Sequence, residues 1–455
     1  MWKTRSCAWL RLFQPPKNFP SVRRQTMRLT RRNLLLGASG GAFMATVGPG
    51  LRVSMAAQST SDEILVVLFA RGGIDGLQLA APAEDSFYQQ ARPSLAVQSS
   101  GTNAGLALAN GIDGVDFFLN PGAPELNDLY TSGDLALIHA SGVPTENRSH
   151  FKTQDMMERG MADNESNILS GWLTRHVETL TAERPLLSTV STASNNPISL
   201  LGYPQAVSIP DVQNFNVSGG DVNAAVIAGL NSGNSPYQQV AQQTIEAINT
   251  VQVKLEELNG GVDEETEAGP AYTNGPLSSS LRNLATLIKM DVGLDVATVD
   301  QGGWDHHNNL INEFSNNVTE LSQSLSAFWE DVAEYKDRIT LVFMTEFGRR
   351  LNENASAGTD HGSGSVMMVL SGNANGGQMY GTWPGLSPTD LDNGDLAVTT
   401  DYRQVIAEIL AKRHNSPSLD TVFPTVSYDP LGIINGDDTA ITGAAVASNT
   451  TSSSS

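Results

Sequence analysis

Residues 301–309, QGGWDHHNN, set one carboxylate and two imidazoles side by side directly behind paired glycines. The chain has seven histidines, and three of them fall in two glycine-flanked loops, each beside an aspartate: His306 and His307 next to Asp305, and His361 next to Asp360 in AGTDHGSG. Imidazole nitrogens and carboxylate oxygens gathered in one neighbourhood are ligands for a divalent cation, and a mixed His/Asp set favours zinc or manganese over calcium or magnesium. Two further carboxylates join the candidate ligands, Asp75 in RGGIDGL and Glu346 in LVFMTEFGRR. The single cysteine, Cys7, lies close to the N-terminus. The rest of the chain therefore has no disulfide, thiolate metal site or cysteine nucleophile.

Plainer roles compete with each of these. An aspartate in a glycine-rich turn often serves only the turn, and Glu346 has Arg349 three residues on as a ready ion-pair partner. The joint pattern carries the expectation of a metal or catalytic site. Ser149 is the candidate nucleophile. It opens the helix-like run SHFKTQDMMERG, and a helix N-terminus attracts anions such as phosphate or sulfate. Serine is also a favoured N-cap, so the hydroxyl has two possible uses. Arg148 and Arg349 are the candidate anion holders. The chain has no G-x-S-x-G elbow, no P-loop and no paired-cysteine motif, and GGIDGL is not a dinucleotide fingerprint.

These residues need elements to position them. EILVVLFA (63–70) reads as a buried strand because its apolar run is unbroken. LALIHA, LDVATVD, RITLVF and GSVMMVLSG read as further strands. Helices are expected from Ser149, from Pro236 behind Ser235, over LSSSLRNLATLIKM, over about 310–335, and from the Asp401 cap onward. Residues 190–235, rich in Ser, Asn, Gly and Pro, read as irregular. Strands alternating with helices predict one large α/β domain over 58–435, doubly wound, with a mainly parallel sheet and helices on both faces. Ligands of such sheets bind beyond the carboxyl ends of the strands, where the polar clusters fall.

The ends of the chain read differently. Ten basic residues and no acid precede Gln58; removing those ten from the net −21 leaves −31 for residues 58–455. So acidic a surface repels nucleic acid and anionic membranes. Arg31 and Arg32, a glycine- and alanine-rich apolar run over 33–48 and small residues at Ala56 and Ala57 have the layout of a twin-arginine export signal over 1–57. That run is too short for a stable membrane anchor. Met27 is a natural start, which makes 1–26 an over-extended gene model. The export route brings the twin-arginine translocase as a partner and a periplasmic or extracellular destination. The tail over 436–455 is low-complexity and expected to be disordered.

The ordered set LFARGGIDGLQLAAP, NRSHFKTQDMMERG, GWLTRH, GGWDHH, TEFGRR, GTDHGSG and DYRQVIAEIL resembles the bacterial family called domain of unknown function 1501 over nearly the whole mature chain. That family is placed in the alkaline phosphatase-like superfamily. The resemblance implies an alkaline phosphatase-like fold and a two-metal site. Asp75 would then be the carboxylate after the first strand and Ser149 the nucleophile; Asp305, His307 and His361 would hold one ion and Glu346 the other. The chain departs from the superfamily pattern in three places. Asp305-x-His307 replaces Asp-x-x-x-His, Phe347 replaces the histidine expected after the acid, and no Cys/Ser-x-Pro-x-Arg sulfatase motif surrounds Ser149. The second ion is thus short of a histidine, which leaves its site weak, oxygen-rich or absent, and one ion as the alternative to two. The sequence supports two functions: a metal-dependent hydrolase of a small anionic phosphate or sulfate ester, or a non-catalytic exported binding or envelope-assembly protein on the same scaffold. Trp304 and Trp383 in loops add polysaccharide as a further substrate class.

Overall fold

A computed structural model describes residues 63–145, 147–162, 168–180, 184–260, 269–416 and 418–438. The expected export signal, and the tail beyond residue 438, lie outside them. The elements that build the site are β1 (Ile64–Ala70), β2 (Leu135–Gly142), α1 (His150–Glu158), α2 (Trp172–Thr179), β3 (Thr189–Ser191), β4 (Val207–Ser208), α3 (Pro276–Lys289), β5 (Val296–Gln301), α4 (Leu310–Asp331), β6 (Ile339–Met344), β7 (Ser365–Ser371), β8 (Met379–Tyr380), β9 (Thr400–Asp401) and α5 (Tyr402–Lys412).

The strands form one nine-stranded sheet in the order β8-β2-β7-β6-β1-β5-β3-β4, with β9 also paired to β2. β1 is central because its seven residues are all buried and apolar. Val66, Leu68 and Ala70 point to one face, into a core shared with Leu281 and Leu284 of α3 and Phe314 and Phe328 of α4. Leu65, Val67 and Phe69 point to the other, against Trp172 of α2 and Val405, Ile406 and Ile409 of α5. Period-two alternation thus feeds two cores, which is what a doubly wound α/β sheet requires. Each fully buried large apolar side chain contributes about 1.5–3 kcal/mol.

β1 is parallel to β5 and β6, and β3 is parallel to both β5 and β4. β7 is antiparallel to both its neighbours, β6 and β2. Two reversals restore direction, so β2, with the parallel β8 and β9 beside it, runs the same way as β1. The carboxyl ends of β1, β2, β5 and β6 therefore share one edge with the amino end of β7. Residues 190–235 are less irregular than their composition suggests. They contain β4 and an eleven-residue helix, Gly220–Leu230. No helix among the described residues is long and apolar enough to cross a membrane.

Candidate metal centre

The loops leaving β1 and β5 cross at van der Waals distance, and only glycine permits the crossing. Gly72 has φ +121°, and a Cβ there would lie 2.7 Å from the Asp305 nitrogen. Gly358 sits as tightly, since its Cβ would meet the His307 carbonyl carbon at 2.2 Å. Trp304 anchors the β5 loop by turning fully into the core against Phe314. Its neighbour Asp305 consequently points outward at the sheet edge. His306 turns back in, buried between Trp304 and Phe314, and His307 emerges again.

Arg349 locks these loops together. Its side chain is buried, and it donates to the carbonyls of Gly72, Gly73, Trp304 and Thr359 as well as to Asp305 Oδ1 at 2.7 Å. Burial disfavours the Asp305 anion, but the bond and charge of Arg349 outweigh it and hold the pKa down at about 2. Asp305 is therefore a carboxylate at any ordinary pH.

Three imidazoles converge on that carboxylate. His361 Nε2 lies 3.1 Å from Asp305 Oδ1, and His307 Nε2 lies 3.0 Å from the same oxygen. His150 Nε2, from the first turn of α1, lies 3.4 Å from Asp305 Oδ2. His361 Nε2 is 2.9 Å from the Nε2 atoms of both His150 and His307. Each ring's other nitrogen faces an oxygen that can only accept: His150 Nδ1 faces Glu346 at 2.8 Å, His307 Nδ1 faces Asp360 at 3.2 Å, and His361 Nδ1 faces the Arg148 carbonyl at 2.8 Å. The protons of the neutral rings therefore sit on Nδ1, and all three Nε2 lone pairs are free to point inward. Lone pairs so close repel unless a cation lies among them. Oxygen partners behind ligating histidines are the usual support of a metal site. Among His150, Asp305 and His361, the group whose ligand atoms all lie close together, the separations of 2.9–3.4 Å match the ligand–ligand edge of about 3.3 Å expected for tetrahedral zinc with bonds near 2.0–2.1 Å. Two nitrogens and one carboxylate suit zinc or a similar divalent ion, and His307 Nε2, 3.0 Å from Asp305 and 2.9 Å from His361, is placed to add a third nitrogen.

The site residues expected from sequence take different places. Asp305, His307 and His361 come together. Glu346 stands one layer behind. It is fully buried, and its Oε1 accepts from His150, Gln154 and the Gly72 N–H at 2.8–2.9 Å. Burial works to raise its pKa, but these hydrogen bonds, His150's first, hold it low. In return, the bond to Glu346 raises the pKa of His150. Burial lowers that of His361. Asp360 is also one layer out, exposed, between His307 and Asn354. Asp75 is apart from the cluster. It caps the short helix Gly76–Leu79, accepts from Thr359 and pairs with Arg92 at 2.9 Å, both side chains being 1% exposed or less. That buried pair leaves no room for a metal-ligating role.

Ser149 is exposed at the start of α1, and its hydroxyl makes no capping bond. The expected capping use is therefore absent, and the hydroxyl stands next in sequence to His150. Arg148 pairs with the buried Asp395, while Arg349 is occupied by carbonyls and Asp305. Neither guanidinium is held ready for an anion. His150 is the residue that sequence reasoning missed as a ligand. Its only signal was its place beside Ser149 at a helix start.

Fold and site together define an α/β protein with a His/Asp cluster, a candidate metal centre, at the carboxyl edge of its sheet. A family model described as protein of unknown function (DUF1501) matches residues 134–415, well over half the chain, and the protein belongs to that family. No curated protein matches it. Among solved structures, the C-terminal periplasmic domain of EcEptC from Escherichia coli, in complex with Zn, is similar at 8% identity and a TM-score of 0.31, over 69% of this chain and 75% of that one. Ps i-CgsB is similar at 10% identity and a TM-score of 0.30, over 70% and 68%. The lipoteichoic acid synthase LtaP from Listeria monocytogenes is similar at 8% identity and a TM-score of 0.27, over 75% of each chain.

Proposed function

We propose that the protein is an exported, metal-dependent hydrolase of phosphate or sulfate esters. The observation that carries the reading is the convergence of three imidazole Nε2 atoms on the Asp305 carboxylate, each ring backed by its own oxygen acceptor. A divalent ion held by His150, His307, His361 and Asp305 would supply Lewis acidity toward an ester oxygen and make a nearby hydroxyl or water more acidic. The chain's own residues supply the rest. The amino end of α1 favours an anionic ester. Ser149, exposed and free of a capping bond, is the nucleophile candidate. Arg349 and Glu346 position ligands. The twin-arginine pattern read over 1–57 supports a periplasmic or extracellular site of action.

The test is metal analysis of the purified protein together with turnover of a panel of phosphate and sulfate esters. Wild-type protein is expected to hold metal and cleave one ester class, and Ser149→Ala to keep the metal and lose most turnover. Metal-loaded, folded protein that cleaves none of the panel would sink the reading.

A further inference from the structure

We infer that the centre takes a single ion per chain, held by His150, His307, His361 and Asp305, with Glu346 acting as the orienting partner of His150. The inference rests on the reading of this cluster as a metal site and departs from the two-ion arrangement that the family resemblance implies.

A second ion needs further carboxylate oxygens that are free to coordinate. The buried carboxylates near Asp305 are already committed, and the exposed Asp360 stands behind His307 and engages it through Oδ1. Glu346 is fully buried and receives His150 Nδ1, Gln154 Nε2 and the Gly72 N–H on one oxygen, with Thr345 Oγ1 at 3.3 Å from the other. Asp75 is saturated by Arg92, Thr359 and the Gln78 N–H. Asp395 receives Arg148, Arg350 and Ser363. Asp360 faces His307 Nδ1 and Asn354. Asp305 has spare lone pairs, but the Arg349 guanidinium lies 2.7 Å from its Oδ1. That cation is tied to four backbone carbonyls and cannot swing away. A second dication bridging from Asp305 would meet a fixed positive charge at close range in a partly desolvated setting, where repulsion is poorly screened. The site therefore balances its charge with one metal ion and one arginine.

Glu346 gains a defined role. By accepting the His150 Nδ1 proton it fixes the tautomer that offers Nε2 to the metal, and such outer partners typically contribute about 10–100-fold in affinity.

Full-length protein stripped with chelator and titrated with Zn2+ or Co2+ decides the matter, with bound metal counted after gel filtration and affinity read by calorimetry. One equivalent per chain is expected for wild type. Glu346→Gln is expected to keep one equivalent at about 10–100-fold weaker affinity, and Asp75→Asn to keep one at unchanged affinity. Two equivalents in wild type, or the loss of a whole equivalent in Glu346→Gln, would overturn the inference, as would failure of wild type to bind metal. Circular dichroism establishes that each variant folds, and the wild-type count stands even where one does not. Ester turnover is a separate readout. Two equivalents with turnover overturns the single ion and leaves the hydrolase reading intact; one equivalent with no turnover does the reverse.

Discussion

The seven histidines divide into two groups that could hardly be treated more differently. His139, His176, His306 and His414 are almost wholly buried and sit among rings: Phe117 and Trp383 around His139, Trp304 and Phe314 around His306, and His176 and His414 edge to face. Burial lowers the pKa of all four. His176 Nε2, His414 Nε2 and His306 Nδ1 find no hydrogen-bond partner among the described residues. These three behave as apolar filler with one tolerated polar atom, while His139 is held at both nitrogens by backbone, the Ala80 carbonyl and the Ala140 N–H. His150, His307 and His361 are only partly covered, each Nδ1 has an oxygen partner, and their Nε2 atoms meet. What sets the clustered histidines apart is the shared focus of their Nε2 atoms, with an oxygen acceptor behind each Nδ1.

The comparison can be broken most directly at that focus. His361→Ala or Asp305→Ala should lower metal affinity by on the order of a thousandfold, about 4 kcal/mol at 1.4 kcal/mol per decade, while His414→Leu leaves affinity unchanged; calorimetric titration of the three variants settles it. Equal losses in all three would erase the distinction.

The buried group has its own signature in acid. His414 stays neutral in the folded chain with its pKa pushed down to about 3 from an ordinary 6.5. Once pH falls below 6.5 the unfolded chain takes up a proton that the folded chain refuses. Stability is thus full above that pH and is lost progressively toward pH 3. By pH 5 the cost is about 2 kcal/mol, at 1.36 kcal/mol per pH unit. Urea unfolding at pH 8 and pH 5 should show His414→Leu losing less stability over this interval than wild type by about that amount. An unchanged interval would mean that this ring titrates normally.

A smaller effect belongs to the outer layer. Asp360→Asn should weaken metal binding about tenfold, because the exposed carboxylate orients His307 without touching the focus. Smallest of all, His306→Leu should leave metal affinity where it is and change stability by no more than about 1.5 kcal/mol. A large loss of metal from His306→Leu would move that ring from the core group into the site.

Much of this was legible in the chain. The unbroken apolar run of β1 and the alternation of strands and helices predict the two-faced sheet, and glycines beside Asp305 and His361 point to the site loops. What was not legible depends on distance in sequence. His150 reaches the focus across 211 positions from His361, and no local spacing signals that. Glu346 and Asp75 both follow buried strands and look alike as sequence. One is held by His150 and Gln154 beside the site, and the other by Arg92 away from it. Partners, not motif, separate them. The helix Gly220–Leu230 was hidden because a composition rich in Gly and Asn outweighed its short Ala/Val/Ile core as a signal.

The reversed strand β7 also ties the site to the completeness of the sheet. It is inserted between β2 and β6 and leads directly out of the hairpin that carries His361. His361 meets His150 and His307 only with this strand docked in register, since a slip of one residue would exchange its two buried faces. The His/Asp focus thus depends on the register of a strand distant from two of its members. Metal uptake should report completion of the domain as a whole.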